Sequence, residues 1–522
     1  MKFTNANIVH VCILMLVLVC LGCNVKPQTL RVEIDKDIVY QTIDGFGASD
    51  AWRCEFVGQN WPNEKRERIA EWLFSNEVDG EGNPKGIGLS LWRFYIGAGT
   101  KEQGEVSNIN NKWRRVESFI DAKGNYSWNK QKGQQWFLRK AKSYGVDKFI
   151  AFSISAPVQW TKNGKGYNGD NKDGEINLKA EYFDNYASFM VEFLKHFKSQ
   201  GIIFNYLSPI NEPQWDWEKA TQEGTPATNN NIFKLAGLIN EKIEKNNLSS
   251  KIVLGEAADL RWLYSNYGKP KRGNQIDYFF DKSKRLKNIE NTISGHSYFT
   301  TWPVDSLITI REKLNEKLVE KSNLNYWQSE FCILENTDDI GGGHKRDLGI
   351  DTALYVARVI HADLTITNAS SWQWWTALTN ADYKDGLIYL DTGNKSDLYN
   401  LDKMMYDGNF HDSKLLWAFG NYSRFVKPNM VRVEVKVNED KSLKEQYKDV
   451  MLSAYINRET SQISVVAINY GNESKKIEFS DLDVNSMYVT SKDKNLEVTP
   501  VNSKNVIIDK RSINTLIGYL KD

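Results

Sequence analysis

Between residues 43 and about 375, short apolar runs rich in β-branched and aromatic residues alternate with longer amphipathic stretches, and this repeated change of period constrains the fold more than any other feature. Eight runs read as strands: 43–48, 87–94, 148–153, 202–207, 251–257, 292–298, 324–330 and 370–375. Between them lie helical stretches such as 63–74, 181–197, 232–243, 307–318 and 349–366. Eight strand-and-helix units in that length predict an α/β fold, a (β/α)8 TIM barrel with insertions. A doubly wound open sheet is the alternative, and it is disfavoured because no glycine-rich phosphate turn follows an early strand. Beyond residue 425 strands follow one another without helices, at 430–437, 450–456, 463–470, 476–479, 487–490, 506–508 and 515–520, the pattern of an antiparallel β-sandwich. Runs 30–34 and 37–40 could complete it from the other end of the chain. The expected organisation is therefore a barrel over 43–425 and a side sandwich from 28–42 and 426–522. With no low-complexity linker, the two should pack rigidly, with Trp417, Phe419 and Tyr422 near the joint.

Charge and cysteine usage narrow the function classes. Sixty-seven basic against sixty-six acidic side chains leave a formal charge of +1, which excludes the strong field expected of a nucleic-acid partner or an anionic lipid surface. Seventeen Trp and 24 Tyr suit neutral sugar rings, whose C–H faces pack on flat aromatics, although large cores also consume such residues. At the N-terminus, Lys2 precedes an apolar run over 8–21, too short for a membrane span, that ends in Cys20-Leu21-Gly22-Cys23. This looks like a bacterial lipobox. Residues 1–22 would then be a signal peptide and Cys23 the lipidated residue, anchoring an exported protein in the cell envelope, in the periplasm or at the cell surface, with no other membrane contact. A plain signal peptide is the alternative. Cys54 and Cys332 then remain, either paired or as buried thiols. Six scattered His show no metal-ligand spacing, so neither metal nor other cofactor is expected, and the partner of a chain expected to be monomeric is a polysaccharide or oligosaccharide.

In a β/α barrel the reactive groups stand at the C-terminal strand ends. The fourth strand runs into Asn211-Glu212-Pro213 and the seventh ends in Trp327-Gln328-Ser329-Glu330, so two carboxylates face one another across the mouth. Cutting a glycosidic bond needs one carboxylic acid to protonate the leaving oxygen and one carboxylate to attack the anomeric carbon from the other side. Pro213, Trp215 and Trp217 supply apolar surroundings for an acid at Glu212, while Arg93 and Tyr298 are placed to hold Glu330 as its anion. Arg93 could equally be a barrel-mouth salt-bridge residue, and His296 a structural histidine or a substrate ligand. Asn211 is placed to bond a sugar 2-hydroxyl. Trp160, Trp302, Trp374 and Trp375, just beyond strand ends, are candidate stacking walls.

Gln41-Thr42-Ile43-Asp44-Gly45-Phe46-Gly47-Ala48, Asn211-Glu212-Pro213 and Trp327-Gln328-Ser329-Glu330, followed by a β-rich tail, resemble glycoside hydrolase family 30. The resemblance implies a (β/α)8 barrel joined to a side β-sandwich, a retaining mechanism with Glu212 as acid/base and Glu330 as nucleophile, and a tyrosine, here Tyr298, beside the nucleophile. The run from Asp44 to Trp52 and Leu89-Ser90-Leu91-Trp92-Arg93-Phe94 look closest to the endo-β-1,6-galactanase-like branch, which adds Asp50 and Trp52 to the substrate-binding candidates. The implied substrate is the β-1,6-galactan side chain of arabinogalactan, cut internally. Alternatives are an endo-β-1,4-xylanase, a β-glucan or glucosyl hydrolase, and, outside the enzymes, a surface glycan-binding lipoprotein, for which two opposed glutamates would serve no purpose.

Overall fold

The computed structural model describes residues 27–321, 324–501 and 506–521. The segment that carries the signal-peptide and Cys23 expectations lies outside them. Strand β1 (Gln28–Thr42) precedes a closed parallel barrel of β2 (Gly45–Ser49), β3 (Leu91–Ile96), β4 (Lys148–Ser153), β5 (Tyr206–Ser208), β6 (Lys251–Ala257), β7 (Ile289–His296), β8 (Asn325–Phe331) and β9 (Ser371–Trp374), with β9 bonded back to β2. These strands are continuous apolar runs because helices cover their outer face and side chains fill the inside; every residue of Leu91–Ile96 is buried. The helix at Asn63–Phe74 has the bounds read from sequence, and Phe183–Ser199, Asn229–Lys245, Val304–Glu320 and Ile350–Thr365 fall within three residues of theirs.

The lower barrel is plugged by Leu91, Ile150, Val253 and Trp327, with Tyr206 edge-on to Trp327 at 4.7 Å between ring centroids. Polar side chains stand above this apolar layer. Simple alternation carries the inward face from Leu91 to Arg93. It would turn Glu256 and Glu330 outward, because Val253 and Trp327 lie three residues before them. Register shifts between Leu254 and Ala257 on β6 and between Gln328 and Phe331 on β8 turn both carboxylates into the barrel. Such bulges re-aim a side chain at the cost of a few ladder bonds. The fourth strand is shorter than its apolar run, since the side chain of Asn205 takes the N–H of Phe149 (2.9 Å) in place of the ladder.

After the barrel, β10 (Thr376–Thr379), β11 (Gly386–Asp391) and β12 (Asn409–His411) form a small sheet over its rim. The tail supplies β13 (Val431–Val437), β14 (Val450–Ile456), β15 (Gln462–Asn469), β16 (Lys475–Phe479), β17 (Leu482–Thr490), β18 (Glu497–Thr499), β19 (Val506–Ile508) and β20 (Ser512–Leu520). Together with β1 these make the side β-sandwich, a nine-stranded assembly in the order β18-β17-β20-β15-β14-β13-β1-β16-β19, with its own apolar core that includes Leu30, Val32, Val465 and Leu516. The two short N-terminal runs are one strand. Asp35 accepts the Asp37 N–H (3.1 Å), and the local turn is absorbed as a register shift between Asp35 and Val39. β1 pairs antiparallel with β13 and parallel with β16, so it lies inside the sheet.

The outer face of the sheet packs on the barrel through Ile350–Thr365, buried almost all round, and through Lys414–Ser423. Phe419 and Tyr422 meet Phe46 of the first barrel strand, both at 6.0 Å, while Asn421 donates to the Tyr488 carbonyl (3.1 Å) and accepts from Thr515 through its own carbonyl (2.6 Å). The barrel-facing side of the sheet, with Tyr455, Val466, Ile468 and Ile513, therefore joins the barrel core, while the opposite side keeps its own. Cys54 and Cys332 are separate buried thiols, and among the described residues no helix is long and apolar enough to cross a membrane.

Candidate active site

Glu212 projects from the loop after β5 with a left-handed backbone (φ +46°), and Glu256 at the end of β6 has one too (φ +49°). Each costs of order 1–3 kcal/mol outside glycine, so the surroundings must enforce both. The Glu212 N–H donates to the Glu256 carbonyl (3.0 Å), and the Trp217 indole donates to the Glu212 carbonyl (3.2 Å). Farther along the same loop, Glu223 is buried and accepts from the Ala98 N–H (3.0 Å), the Thr100 hydroxyl (2.5 Å) and the Tyr95 hydroxyl; burial pushes its carboxyl up to about 7. Gly224 lets this anchor lie against Trp217, because a β-carbon there would stand 2.3 Å from the indole.

Glu330 rises from β8 opposite Glu212. An oxygen of each carboxylate and a nitrogen of His296 lie within 4.8 Å of one another. Arg93 donates to Glu330 (2.6 Å), to the Asn211 carbonyl (2.9 Å) and to Glu256 (3.1 Å), and its guanidinium rests 3.7 Å from the centre of the Phe152 ring. Tyr298 donates to the other Glu330 oxygen (3.1 Å). His296 spans two carboxylates, with Nδ1 2.9 Å from Glu212 and Nε2 2.7 Å from Glu256, and its Nδ1 is 3.6 Å from Glu330.

The charges of this cluster set one another. Burial opposes the imidazolium, but Glu330, Glu212 and Glu256 outweigh it and raise His296 to about 10, so the ring is a cation at neutral pH. Burial likewise opposes ionisation of Glu256, and there Arg93 and His296 win, holding it down to about 2. Burial pushes the Glu330 carboxyl above its ordinary range while His296 and Arg93 pull against it. Glu212, His296 and Glu330 also have the spacing of a metal site. Both ring nitrogens of His296 are already engaged by carboxylates, Nδ1 with Glu212 and Nε2 with Glu256, so the set as folded is wired for proton chemistry.

A cleft of about 520 Å³ opens above the two carboxylates. Trp52 and Trp375, edge to face at 5.2 Å, form one wall, and Trp215, Trp217 and Phe299 another. Arg114, its guanidinium 4.9 Å from the centre of the Trp52 ring, lines the cleft too, as do Tyr383 and Asp385. Two close carboxylates under aromatic walls are equipped to protonate and attack a bond in a neutral ring compound.

The model of the family described as O-Glycosyl hydrolase family 30 matches residues 27–389. The chain belongs to that family. It is similar to an endo-β-1,6-galactanase from Hypocrea rufa, 24% identical over 380 residues, which cover 69% of this chain and 70% of that one. A conserved exported protein from Bacteroides fragilis has a similar structure, with a TM-score of 0.87 and 36% identity, covering 93% of this chain and 99% of that one. The catalytic domain of family 30 xylanase C from Talaromyces cellulolyticus shares the fold, with a TM-score of 0.65 and 19% identity, covering 94% and 99%. This family 30 chain is thus a glycoside hydrolase with a (β/α)8 barrel and a side β-sandwich.

Of the residues singled out from sequence, Glu212, Glu330, Arg93, Asn211, His296 and Tyr298 meet in one cluster, and Trp52 and Trp375 wall the cleft above it. Arg93 and His296 lie fully buried beneath the cleft without lining it, and four others belong to neither cluster nor cleft. Trp160 stacks on Tyr182 at 6.0 Å in the packing of the third loop, and Trp374 is fully buried with its indole bonded to the Asp385 carbonyl (2.9 Å). Trp302 lies beside Arg358, 6.0 Å from the ring centre. Asp50 is sealed in the barrel wall, where it accepts the Tyr95 N–H (2.9 Å) and burial pushes its carboxyl well above the usual range. His296 is fully buried beneath Glu212, which makes it a partner of the carboxylates rather than of a sugar. Sequence reasoning missed Glu256, Arg114 and Tyr383. A carboxylate ending the fifth strand run was the available signal for Glu256, while the other two lie on loops without a pattern.

Proposed function

We propose that this family 30 hydrolase works by the retaining mechanism, with Glu330 as nucleophile and Glu212 as acid/base, on the β-1,6-galactan side chains of arabinogalactan, cutting within chains. The observation that carries the reading is the approach of the Glu212 and Glu330 oxygens to within 4.8 Å under an aromatic-walled cleft. Retaining enzymes keep their carboxyl groups about 5–5.5 Å apart, whereas inverting ones leave about 6.5–9.5 Å for a water between them. In the first step a Glu330 oxygen bonds to the anomeric carbon as the bond to the leaving sugar oxygen breaks, and Glu212 gives that oxygen its proton. In the second, water passes a proton to Glu212 and bonds to the anomeric carbon, releasing Glu330.

Arg93 and Tyr298 favour the role of Glu330, since both donate to a carboxylate that has to be ionised to attack. Asn211 has its carbonyl engaged by Arg93, which leaves its amide to meet a sugar hydroxyl at the cleft floor. The galactan substrate is supported by the likeness to the Hypocrea rufa enzyme, and the open cleft suits attack within a chain. Incubating the protein with arabinogalactan, xylan and β-glucan, sizing the products and following the anomer first released tests substrate, mode and stereochemistry together. Release of the inverted anomer would reject the retaining assignment, and activity on xylan alone would reject the galactan one.

A further inference from the structure

A third carboxylate sits under the two that face the cleft, and a two-carboxylate reaction has no use for it. Glu256 is 2% exposed and is not part of the cleft lining. Three donors converge on one of its oxygens: His296 Nε2 at 2.7 Å, Ser329 Oγ at 2.9 Å and Arg93 Nη2 at 3.1 Å. Its main chain is equally engaged, with the N–H donating to Ser294 Oγ (3.0 Å) and the carbonyl accepting the Glu212 N–H (3.0 Å). Resting on the assignment of Glu212 as acid/base, we propose that Glu256 is a positioning residue for proton transfer: its carboxylate clamps the far nitrogen of His296 so that Nδ1–H is aimed at Glu212, and its carbonyl fixes the backbone from which Glu212 projects.

An imidazole held at one nitrogen can swing about its last torsion, whereas one held at both acts as a rigid strut. His296 is held at both, and the strut ends 2.9 Å from Glu212. Glu212 has to lose and regain a proton in each cycle without falling toward the Arg93 guanidinium, and a fixed N–H on one oxygen leaves the other free for that exchange. The charge count depends on the same residue. Arg93 and His296 bring two positive charges and Glu256 and Glu330 two negative ones, leaving Glu212 to change state in a balanced cage. Groups facing His296 are Glu212 after β5, Glu256 from β6, Glu330 from β8, and Tyr298 edge-on at 5.7 Å, with Arg93 from β3 paired to Glu256 and Glu330 behind them. Without Glu256 the ring proton at Nε2 has no anionic acceptor, and His296 is the group that loses its charge first.

The test compares two leaving groups. A sugar leaving group needs a proton from Glu212, while 2,4-dinitrophenolate leaves without one, so only the first reports on acid positioning. For Glu256→Gln, kcat/KM on β-1,6-galactan should fall by about tenfold to a hundredfold. On the 2,4-dinitrophenyl glycoside of β-1,6-galactobiose it should fall by less than about threefold. If xylan is the polysaccharide cut, xylan and the xylobioside take their places. The basic limb of the polysaccharide pH profile should also move to lower pH by about one unit, as His296 begins to titrate within the assay range. Equal losses on both substrates, or none on either, would overturn the proposal, because a merely structural role does not sense the leaving group. Ser329→Ala removes one of the three donors without changing charge and should give a loss of a few fold with the same substrate pattern; it carries the test if Glu256→Gln does not fold. Glu330→Gln separates this proposal from the reading beneath it. Turnover retained there rejects the site assignment, whereas an inactive Glu330→Gln beside an unaffected Glu256→Gln rejects only the role of Glu256.

Discussion

Replacing Arg93 by methionine keeps much of the length of the side chain and removes the one guanidinium that joins Glu330, Asn211 and Glu256. Arg93 is fully buried, as is Glu256, so water cannot replace what is lost. Breaking a buried ion pair from one side costs about 3–5 kcal/mol, because the carboxylate left behind is uncompensated. Glu256 gives a second measure. Arg93, with His296 and Ser329, holds it at about 2 against an ordinary 4.5, a displacement worth roughly 3 kcal/mol of folding free energy at neutral pH of which Arg93 supplies a share. The folded value is the lower one, so the contribution is complete above about pH 4.5 and is lost as the pH falls toward 2. Arg93→Met should therefore lose about 3–5 kcal/mol at pH 7, and its deficit should narrow by about 1 kcal/mol at pH 4. Urea unfolding followed by tryptophan fluorescence, for both proteins at pH 7, 5 and 4, measures this directly. A deficit below about 1 kcal/mol at pH 7, or one that does not change with pH, would show that the buried cluster is not held together by Arg93.

Other substitutions probe other parts of the chain. Trp375→Ala removes half of the Trp52–Trp375 wall and should raise KM about three- to tenfold with little change in kcat, as expected for losing one aromatic face; initial rates over a substrate series decide it. His361, on the Ile350–Thr365 helix, is buried against Tyr447, and burial holds it down at about 3, so the folded protein resists a proton that the unfolded chain takes up below about pH 6.5. Stability should then fall by up to about 1.4 kcal/mol per pH unit from 6.5 toward 3 on its account, and His361→Gln should flatten that part of the urea-midpoint profile. Cys23→Ala should move the protein from the detergent phase to the aqueous phase in a cloud-point partition if Cys23 bears the lipid, and unchanged partitioning would rule that anchor out.

The barrel was legible because its strands are covered on both faces and so appear as unbroken apolar runs, while its helices keep one wet face. The Asn63–Phe74 helix was read to the residue for that reason. The two carboxylates that face the cleft were legible as ends of runs four and seven. Glu256 stands at the end of a run as well, yet strict alternation from Val253 points it outward, and only the register shift on β6 brings it in. A bulge of one residue leaves no mark in composition. Misplaced tryptophans have the same origin: adjacent Trp374 and Trp375 carry identical local signals, and the direction of the chain after β9 decides that one is core and the other cleft wall. Arg114 and Tyr383 reach the cleft from long loops whose course is set by packing alone.

The place of β1 has a consequence for how such a chain comes to its fold. Val32 is the register partner of Val437, and Gln28 that of Lys475, so the first of the described strands must wait for partners in the tail of the sequence. Until then both of its edges are open, and an unpaired strand of that length is a template for pairing with the wrong chain. Assembly of the side sheet is thereby postponed until synthesis is all but finished, and because that sheet shares its apolar surface with the barrel, a chain cut short before β13 would leave the covering helix Ile350–Thr365 bare on one side. β1 and the tail strands act as a clasp that closes only once β13 and β16 have been made.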